Sequence, residues 1–576
     1  MVSGRIEQRR SRTGNLGDLS MRDEFSVLVG GKAGDGITEA GMIIARLYNQ
    51  LGYCLYQYLD YPSLIRGGHN FAIVRAAGKK IGAPRDGVDY LLALNQDTID
   101  RHSWRLRESS IVIYDSDEVK APLAGGVGLP LKTFAKESGA PPIARNVGLI
   151  GAFSRAAGIE EEIVEKVLRK EIPKAIDENL EVARRGRAGL EGRGDARVDK
   201  RSYPCCPVIT GNEIFGLGLL RGGLDAYVAY PMTPSSGVLH FLAKVAAEFS
   251  IKVVHPENEI AVILMAEGFA YAGKKAAVGT SGGGFCLMNE GMSLAGMAEI
   301  PLVVLVSQRA GPSTGVPTYT AQADLPFVMN AGHGEFPRLV IAPGDAEEAF
   351  FWSAAALGLA WRYQIPVVLL SDKTLSESAY SFNVEEAREI PEFGPVLWDG
   401  DGDYRRYASA EDGISPLAFP PRTGAVVKAN SYAHLPSGIT TEEPRAIEAG
   451  QDKLLRKERR LVEELERLKT LNVSGDRRSS TAVVCWGSNK GPCGEVGEEL
   501  GLRVVQPVVV SPFPADLFRE ALRGVERTIS VETNSTGGMA KLIRSCGFEA
   551  DRLVLKYDGR PFSVDELEER LLEVGI

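Results

Sequence analysis

The feature that most constrains the fold of this chain is a short apolar run that leads directly into a loop of glycine, proline and hydroxyl residues. The run is 300–306 and the loop is 308–318. A continuous apolar run bounded by turn-forming residues is typical of a strand buried on both faces, as in the sheet of an α/β domain. Ligands of such sheets bind outside the carboxyl ends of the strands. The loop is therefore predicted to line a ligand site.

Arg309 places one fixed positive charge among the glycines, prolines and hydroxyls of this loop. A planar guanidinium suits a small anionic ligand, such as a carboxylate or a phosphate. The alternative is an ordinary glycine- and proline-rich loop with a solvated arginine, and the loop alone does not decide between the two.

A second loop, 230–236, follows the short apolar run 226–229. Pro231 and Pro234 fix the local φ angles and remove amide donors, which makes the loop stiff. Thr233 lies between them and can present its hydroxyl to a ligand, and the two serines that follow can cap a helix beginning near residue 237. The alternative is a plain capped turn from strand to helix.

Five blocks, in this order along the chain, resemble the α subunit of 2-oxoacid:ferredoxin oxidoreductases. They are residues 230–236, 255–261, 280–285, 294–301 and 308–318. The resemblance covers about residues 24–570 and is closest to the 2-oxoglutarate type, in which a γ-like domain is fused ahead of the α domains. It implies an α/β, multi-domain fold.

The implied division has six segments. We expect a disordered leader at 1–23, a γ-type α/β domain at 24–181, a linker at 182–206, a thiamine-diphosphate-binding domain of the pyrimidine type at 207–390, a connector with a charged amphipathic helix at 391–477, and a transketolase C-terminal-like α/β domain at 478–576. In the γ-type domain, periodicity predicts strands at 25–29, 71–75, 90–94 and 111–114 and a helix at 37–51.

The flexible glycine loop predicted at 30–36 does not match a known nucleotide motif. Its G-x-x-G-x-G spacing differs from the dinucleotide fingerprint. It also begins like the diphosphate motif of thiamine enzymes, but the asparagine expected 25–30 residues later is absent. The resemblance places coenzyme A near here, where helix amides, Lys32 and Arg66 could hold a phosphate. Packing between domains is the alternative role.

In the last domain, strands are predicted at 481–486, 502–510 and 528–531. The resemblance assigns this domain mainly to subunit contacts, so Lys490 and Asn534 are not expected to be catalytic. The amphipathic helix of the connector is expected to dock through four leucines, namely Leu454, Leu461, Leu465 and Leu468.

Roles for single residues follow only from the resemblance. Of Glu257 and Glu259, the family pattern selects Glu259, directly before an apolar helix, to bind the aminopyrimidine ring of the cofactor; helix capping is the alternative. Thr233 and Arg309 are assigned to the substrate, joined by Thr318, with Tyr230 in the pocket wall. Further positions assigned to the cofactor are Pro231, Ser281 and Gly282.

Loss of carbon dioxide from a 2-oxoacid leaves a carbanion that no side chain stabilises, and thiamine diphosphate supplies that electron sink. The chain lacks a complete diphosphate motif. Its seven cysteines form no C-x-x-C pair and its histidines no H-x-x-x-H pair, so no metal or iron–sulfur cluster of its own is expected.

The resemblance implies a β subunit that brings the diphosphate–Mg²⁺ site and a [4Fe–4S] cluster, in an (αβ)₂ heterotetramer. The implied reaction converts a 2-oxoacid and coenzyme A into acyl-coenzyme A and carbon dioxide and reduces ferredoxin.

Composition argues against nucleic-acid binding, membrane insertion and secretion. A net charge of −9 argues against a general nucleic-acid binder. No apolar run reaches the roughly 20 residues that span a bilayer, and the polar, arginine-rich start does not match a secretory signal, so a cytoplasmic protein is expected. Pyruvate or broad 2-oxoacid specificity, a transketolase-like scaffold without catalysis, and a flavoprotein or dehydrogenase are the competing functions.

Overall fold

The computed structural model describes residues 23–63, 67–190 and 198–576. These residues form three β-sheets of eight, seven and five strands, with helices packed against them. The α/β multi-domain class predicted from the sequence is confirmed. Of the predicted leader, only Asp23 lies within the described residues. No helix among the described residues combines the length and apolar character needed to span a bilayer.

The N-terminal region builds most of the eight-stranded sheet. Its strands are β1 (Glu24–Lys32), β2 (Cys54–Asp60), β3 (His69–Ala77), β4 (Val88–Ala93), β5 (Leu106–Asp115) and β6 (Val127–Leu129). Its helices are α1 (Ile37–Gln50), α2 (Gln96–His102), α3 (Leu131–Glu137), α4 (Arg145–Ala156), α5 (Glu161–Glu171) and α6 (Ile176–Ala188). The strands and the helix predicted here are confirmed, with differences only at their ends.

The glycine segment after β1 is shorter than the flexible loop predicted at 30–36. β1 continues to Lys32 because its last residues remain paired with β3. Only residues 33–36 form the turn into α1. The last of these, Gly36, has a φ of +70°, which favours glycine.

Helix α6 extends into the linker predicted at 182–206. It ends at Ala188 and packs closely on α4, where a side chain at Gly151 would overlap the backbone of Ala183. The small residues allow the two helix backbones to approach, and this packing keeps the arginine-rich segment helical. Residues 191–197 of the predicted linker lie outside the described residues.

The second region supplies eight strands and eight helices. The strands are β7 (Val208–Thr210), β8 (Ala226–Val228), β9 (Lys252–Val254), β10 (Ala276–Thr280), β11 (Leu302–Gln308), β12 (Leu339–Ile341), β13 (Pro366–Asp372) and β14 (Ala379–Ser381). The helices are α7 (Gly211–Arg221), α8 (Ser236–Val245), α9 (Glu259–Tyr271), α10 (Gly282–Leu287), α11 (Asn289–Met297), α12 (Leu325–Met329), α13 (Ala346–Tyr363) and α14 (Lys373–Glu377).

Strands β8 to β13 pair in parallel, in the order β12-β13-β11-β10-β8-β9. The apolar run 300–306 supplies most of β11, which is buried along its whole length in the interior of this sheet. The predicted doubly covered strand is therefore confirmed, and its carboxyl end is Gln308.

The charged amphipathic helix of the connector is α15 (Pro444–Leu465). Its docking is confirmed for three of the four leucines, because Leu461 and Leu465 are buried and Leu468 packs on the same apolar cluster. The fourth, Leu454, is half-buried and does not belong to that cluster. The structure adds two buried lysines to this helix, Lys453 and Lys457, which the amphipathic pattern did not predict.

The third region contains β15 (Leu471–Gly475), β16 (Thr481–Val484), β17 (Arg503–Pro507), β18 (Val509–Ser511), β19 (Arg527–Glu532) and β20 (Arg552–Leu555). Its helices are α16 (Lys490–Leu500), α17 (Ala515–Ala521), α18 (Gly538–Ser545) and α19 (Val564–Glu573). The single strand predicted at 502–510 is two strands, because the chain changes sheets at Val508 and continues as β18 beside β12.

Strand exchange joins the three regions. β14 of the second region pairs antiparallel with β2 and β7, so that two strands complete the edge of the first sheet. β18 of the third region pairs antiparallel with β12 and completes the edge of the second sheet. Backbone hydrogen bonds of the sheets therefore hold the three regions together, in addition to side-chain contacts.

Candidate active site

The parallel strands of the second sheet bring several loops to one edge. β8, β10 and β11 run in the same direction, so that their carboxyl ends lie on the same side. The segments that follow them are 229–235, 281–284 and 309–318. β9 is parallel to β8, and α9 begins a few residues after it. Four of the five blocks selected by the resemblance thus meet at the edge where α/β sheets bind ligands, whereas the block 294–301 precedes β11 and lies at the opposite edge.

Glu259 is a buried carboxylate at this edge with a free acceptor atom. It is the first residue of α9 and is 3% exposed, whereas Glu257 is exposed. The helix is capped by Asn258, whose side chain accepts a hydrogen bond from the Ala261 amide at 3.0 Å. Glu259 Oε1 has no hydrogen-bond partner among the described residues. Since Asn258 supplies the cap, the Glu259 carboxylate remains available to a ligand.

The glycine segment after β10 leaves space for this carboxylate. A Cβ at Gly284 would overlap both the Glu259 carboxylate and Thr280 Oγ1, so only glycine allows the backbone to pass here. The preceding Ser281 has a buried hydroxyl that lacks a partner among the described residues. Two unpartnered oxygen atoms, Glu259 Oε1 and Ser281 Oγ, are thus buried at the same edge.

Arg309 connects two of the loops. Its Nη1 donates a hydrogen bond to the carbonyl oxygen of Thr233 at 2.9 Å, and its Nε is buried without a partner in the part of the chain that the structure describes. Burial lowers the pKa of Arg309, and the charge of Asp324 opposes this effect. The contact shows that Thr233 and Arg309 lie together.

Thr318 lies at the end of the same loop, and its side chain is buried. Its Oγ1 has no hydrogen-bond partner among the described residues. By contrast, Tyr230 and Pro231 are exposed at the start of their loop, and the Tyr230 ring contacts His255 edge-on with centroids 5.9 Å apart. Thr318 is therefore placed inside the site, and Tyr230 and Pro231 lie at its rim.

The serines after Pro234 do not cap α8, in contrast to the sequence expectation. Ser235 occupies the N-cap position but makes no capping hydrogen bond. Its hydroxyl donates instead to the carbonyl oxygen of Met232 at 2.9 Å, because the backbone of Ser235 is already helical. The hydroxyl therefore stabilises the loop that carries Thr233.

Asp324 is a site residue that sequence reasoning missed. Burial raises its pKa to about 6, although Arg309 acts in the opposite direction. Its carboxylate lies against the backbone of Gly282, where a Cβ would overlap it. One signal was available, since Asp324 is the single acidic residue in the stretch 301–334. Gly282, predicted to contact the cofactor, is thus held beside an acidic group.

A contact between all three regions holds the end of the loop 309–318, which is called the substrate loop below. The guanidinium of Arg560, from the third region, lies 3.8 Å from the ring centroid of Tyr319 and pairs with Asp60 of the first region at 2.7 Å. The Thr320 amide donates to the carbonyl oxygen of Gly559 at 3.0 Å. Thr318 directly precedes Tyr319 in the chain, so Arg560 positions that part of the loop.

Two side chains at the junction of the second and third regions, those of Gln322 and Asn534, form several hydrogen bonds each. Gln322 donates to the carbonyl oxygen of Trp486 and accepts from Asn489 and from the Thr533 amide. Asn534 donates to the Gln322 carbonyl oxygen and to Glu532. Contacts of this kind are structural, and they engage Asn534 in holding the two regions together.

Lys490 has a similar structural environment. It is paired with both Asp345 and Glu348. Burial alone would lower the pKa of Lys490, but the two carboxylates override it and raise the pKa. A lysine that is held in its charged form by two carboxylates is a poor proton acceptor, which agrees with its assignment outside catalysis.

The residues suggested for coenzyme A are only partly visible. Arg66 lies outside the described residues, and Lys32 is an exposed residue at the end of β1. The nearby Asp35 is buried and pairs with Arg145 at 2.8 Å, while its other oxygen accepts from the Lys32 amide at 3.0 Å. Among the described residues, no group of three or more His, Cys, Asp or Glu side chains could hold a metal ion.

Comparisons with known proteins agree with this geometry. The family model for pyruvate flavodoxin/ferredoxin oxidoreductase, thiamine diphosphate-binding, matches residues 218–449, and that for pyruvate ferredoxin/flavodoxin oxidoreductase matches residues 26–189. The α subunit of 2-oxoacid:ferredoxin oxidoreductase 2 from Aeropyrum pernix is 33% identical over 96% of this chain and 98% of its own length. The 2-oxoglutarate oxidoreductase subunit KorA of Mycobacterium tuberculosis is 27% identical over 96% of this chain and 91% of its own.

One solved structure covers almost the same length. It is the 2-oxoglutarate:ferredoxin oxidoreductase from Magnetococcus marinus with 2-oxoglutarate, coenzyme A and succinyl-CoA bound. The likeness has a TM-score of 0.88 at 28% identity and covers 96% of this chain and 100% of the other.

The fold, the site and these matches together show that the chain is a subunit of a heteromeric, thiamine diphosphate-dependent enzyme. More particularly, it belongs to the 2-oxoacid:ferredoxin oxidoreductase family and corresponds to the α subunit. The resemblance derived from the five sequence blocks is confirmed.

Proposed function

We propose that this chain is the α subunit of an enzyme that oxidises 2-oxoglutarate. The overall reaction would convert a 2-oxoacid anion, coenzyme A and two oxidised ferredoxins into acyl-coenzyme A, carbon dioxide, two reduced ferredoxins and a proton. The substrate assignment is supported by the ligands bound in the Magnetococcus marinus structure and by the name of the Mycobacterium tuberculosis relative.

The observation that carries the proposal is the unpartnered carboxylate of Glu259. It is buried, its helix is capped by Asn258 and the backbone of Gly284 leaves it space. A buried polar atom without a partner costs stability unless a ligand binds it. The residues present therefore fit the aminopyrimidine half of thiamine diphosphate, which supplies an electron sink when bound.

In this proposal, the residues of the chain bind, orient and move protons. Glu259 would share a proton with a ring nitrogen of the cofactor, and Pro231, Ser281 and Gly282 would contact the same ring. Arg309 would bind the substrate carboxylate through its free Nε, with Thr233 and Thr318 orienting the oxygen atoms of the substrate and Tyr230 lining the entrance. Holding the 2-oxoacid in one orientation next to the cofactor is the main contribution of these side chains.

A β subunit would complete the site. The proposed partner carries the diphosphate–Mg²⁺ site and a [4Fe–4S] cluster, delivers electrons to ferredoxin and assembles as an (αβ)₂ heterotetramer. Helix α9 supports an interface beside Glu259, because its outer face exposes apolar side chains that begin at Ile260, which is 50% exposed. The others on this face are Leu264, Met265 and Tyr271. An exposed apolar face next to a half-formed site is typical of a protein interface.

The six segments predicted from the sequence have corresponding roles. The γ-type domain would handle coenzyme A, with Lys32 and Arg66 as candidates for binding its phosphates, and the last domain would contribute subunit contacts. The assembled enzyme would act in the cytoplasm, where ferredoxin and coenzyme A are available.

Two alternatives remain testable against this proposal. Pyruvate or several 2-oxoacids would use the same grip on the carboxylate. A distal carboxylate would need a second cation, and Arg560, which contacts Tyr319 of the loop, already pairs with Asp60. A scaffold without catalysis would have no use for unpartnered groups at Glu259, Ser281 and Thr318. These groups favour an enzyme over a scaffold.

The test is an activity assay of the chain co-produced with its β-type companion. Reduction of a low-potential dye would be followed with 2-oxoglutarate, pyruvate and branched 2-oxoacids, each with and without coenzyme A. We expect Glu259→Gln and Arg309→Ala to lower turnover about a hundredfold or more, in line with losses for positioned catalytic groups.

The matched control is Glu257→Gln, which makes the same change two residues away on an exposed side chain. It is expected to retain near-normal turnover. Near-normal rates in Glu259→Gln would refute the cofactor role of that residue, and faster turnover of pyruvate than of 2-oxoglutarate would refute the substrate assignment.

A further inference from the structure

A cavity of about 350 Å³ lies away from the candidate active site. It is enclosed by α11, the segment 333–336, the connector and the first half of α15. Glu299 lies on its floor, three residues before β11 begins, whereas Arg309 follows the other end of that strand. At about 3.3 Å per residue, the strand separates the two places by roughly 20 Å. The cavity is therefore distinct from the catalytic edge.

The floor of the cavity is a buried ion cluster with more positive than negative charge. The Glu299 carboxylate pairs with Lys453 at 2.6 Å and with Lys457, and its backbone carbonyl accepts from Arg406 at 2.6 Å. Burial alone would raise the pKa of Glu299, but these cations hold it well below its usual range. All four side chains are buried, so three cations share one carboxylate.

Such an imbalance is costly in a protein interior unless another anion reduces it. Burial lowers the pKa of Lys457 to about 8, against the opposing effect of Glu299, and the lysine is still mainly protonated at neutral pH. Lys453 lines the cavity, and in the part of the chain that the structure describes its ammonium donates to one acceptor, Glu299 Oε1. Two of its three N–H groups remain for a ligand.

The walls of the cavity are largely apolar. Leu294, Phe336 and Ile447 line it, and one side is formed by the Tyr407 ring stacked on His434 with centroids 3.5 Å apart. A cavity of this size and lining suits a small organic molecule. An apolar body would fit the walls while an anionic group reached the floor.

Two carboxylates, those of Glu290 and Glu335, also line the cavity, and both residues are exposed. Because water and salt screen exposed charges, they oppose an anion much less than the buried cations attract it. The two ends of the cavity therefore differ in charge, with a cationic floor and a polar, acidic entrance. A ligand would enter with its anionic end first.

We propose that this cavity binds a small amphipathic carboxylate or similar organic anion, whose anionic group contacts Lys453 and whose apolar part lies along α11 and α15. The site is separate from the 2-oxoacid and cofactor site, and it does not depend on the proposed substrate.

The test uses octanoate as the probe and the full-length chain. Binding is measured by titration calorimetry or ligand-observed NMR at pH 7, with octanol and octylammonium as uncharged and cationic analogues. Octanoate is expected to bind with a Kd on the order of 1 mM, as suits a ligand of this size. Octanol and octylammonium are expected to have affinities at least about tenfold lower than octanoate, because they lack the charge-assisted hydrogen bond to Lys453.

Two variants locate the binding. Ile447→Trp fills the cavity, and Glu448→Trp makes the same change on the neighbouring residue of α15, which is exposed and does not line it. We expect Ile447→Trp to weaken octanoate binding about tenfold or more and Glu448→Trp to leave it within about twofold. Lys453→Met should weaken it similarly, while Lys457 and Arg406 keep Glu299 paired.

Thermal unfolding of each variant shows whether it is folded, and the two tryptophan variants are compared directly. The proposal is overturned if octylammonium binds as well as octanoate, or if Ile447→Trp and Glu448→Trp bind alike. Displacement of octanoate by 2-oxoglutarate would also overturn it, since the probe would then occupy the catalytic edge.

Discussion

The carboxyl edge of the second sheet and the junction with the third region are both buried and polar, but they differ in whether their buried polar atoms form hydrogen bonds. At the edge, Glu259 Oε1, Ser281 Oγ, Thr318 Oγ1 and Arg309 Nε are buried without partners among the described residues. At the junction, Gln322 uses both ends of its side chain in hydrogen bonds. Buried polar groups in proteins are normally paired, so the unpaired set indicates a ligand site and the paired set a rigid support.

The strongest way to break this comparison is to separate catalysis from stability at the edge. The hundredfold loss of turnover expected for Glu259→Gln should occur without a lower melting temperature, because Glu259 Oε1 has no hydrogen-bond partner among the described residues. Arg309→Ala also removes the hydrogen bond to the Thr233 carbonyl oxygen, so it should lower the melting temperature slightly. Differential scanning calorimetry on the same preparations checks this. A fall in Tm of several degrees for both variants would mean that these groups stabilise the fold.

The junction should respond in the opposite way. Gln322→Ala removes the hydrogen bonds of this side chain with the Trp486 carbonyl, the Asn489 side chain and the Thr533 amide, and it should lower the free energy of unfolding by about 2–3 kcal/mol. Chemical denaturation measures the change. The control is Asn330→Ala, an exposed residue with one hydrogen bond to Pro326, which is expected to change stability by no more than about 0.5 kcal/mol. Equal effects of the two substitutions would contradict the distinction.

Asp324 tests the edge through pH. Burial raises its pKa from 3.8 to about 6, so the folded state binds this proton more tightly than the unfolded state. Its contribution to stability is then present below about pH 4 and is lost as the pH rises through 6. Asp324→Asn removes this loss and should stabilise the protein at pH 7 by about 1–2 kcal/mol relative to its effect at pH 4. The same difference at both pH values would show that the carboxyl group titrates normally.

The smallest effect is expected at the contact that holds the substrate loop. Arg560→Ala removes the stacking on Tyr319 and should raise the KM for the 2-oxoacid about fivefold with a smaller change in kcat, because a contact of this kind contributes about 1 kcal/mol. Arg560→Lys keeps a charge beside Asp60 and should restore part of the loss. A lower kcat with an unchanged KM would argue against a positioning role.

The sequence predicted the parts of the fold that depend on local pattern. β11 and its loop were identified because a long apolar run and a group of turn formers leave few alternatives. The sequence could not show that β7, β14 and β18 pair with neighbouring sheets, since each has three residues and pairing depends on partners far away in the chain. For the same reason, a single strand was expected at 502–510.

The site shows the same division. Glu259 could be chosen over Glu257 only through the family pattern, and the structure supplies the physical difference, which is burial and the cap from Asn258. Asp324 was missed because its isolation among uncharged residues does not reveal that its carboxylate is buried against the distant loop at Gly282. Lys453 and Lys457 were missed because an amphipathic pattern assigns charged residues to the solvent face.

The exchange of strands between sheets has a consequence for how the polypeptide comes apart. A protease cut in the segment between α6 and β7 would leave β7 and β14 hydrogen-bonded to the edge of the other fragment. The two pieces should therefore copurify and melt in one transition, and pieces produced from separate genes should find each other in the cell.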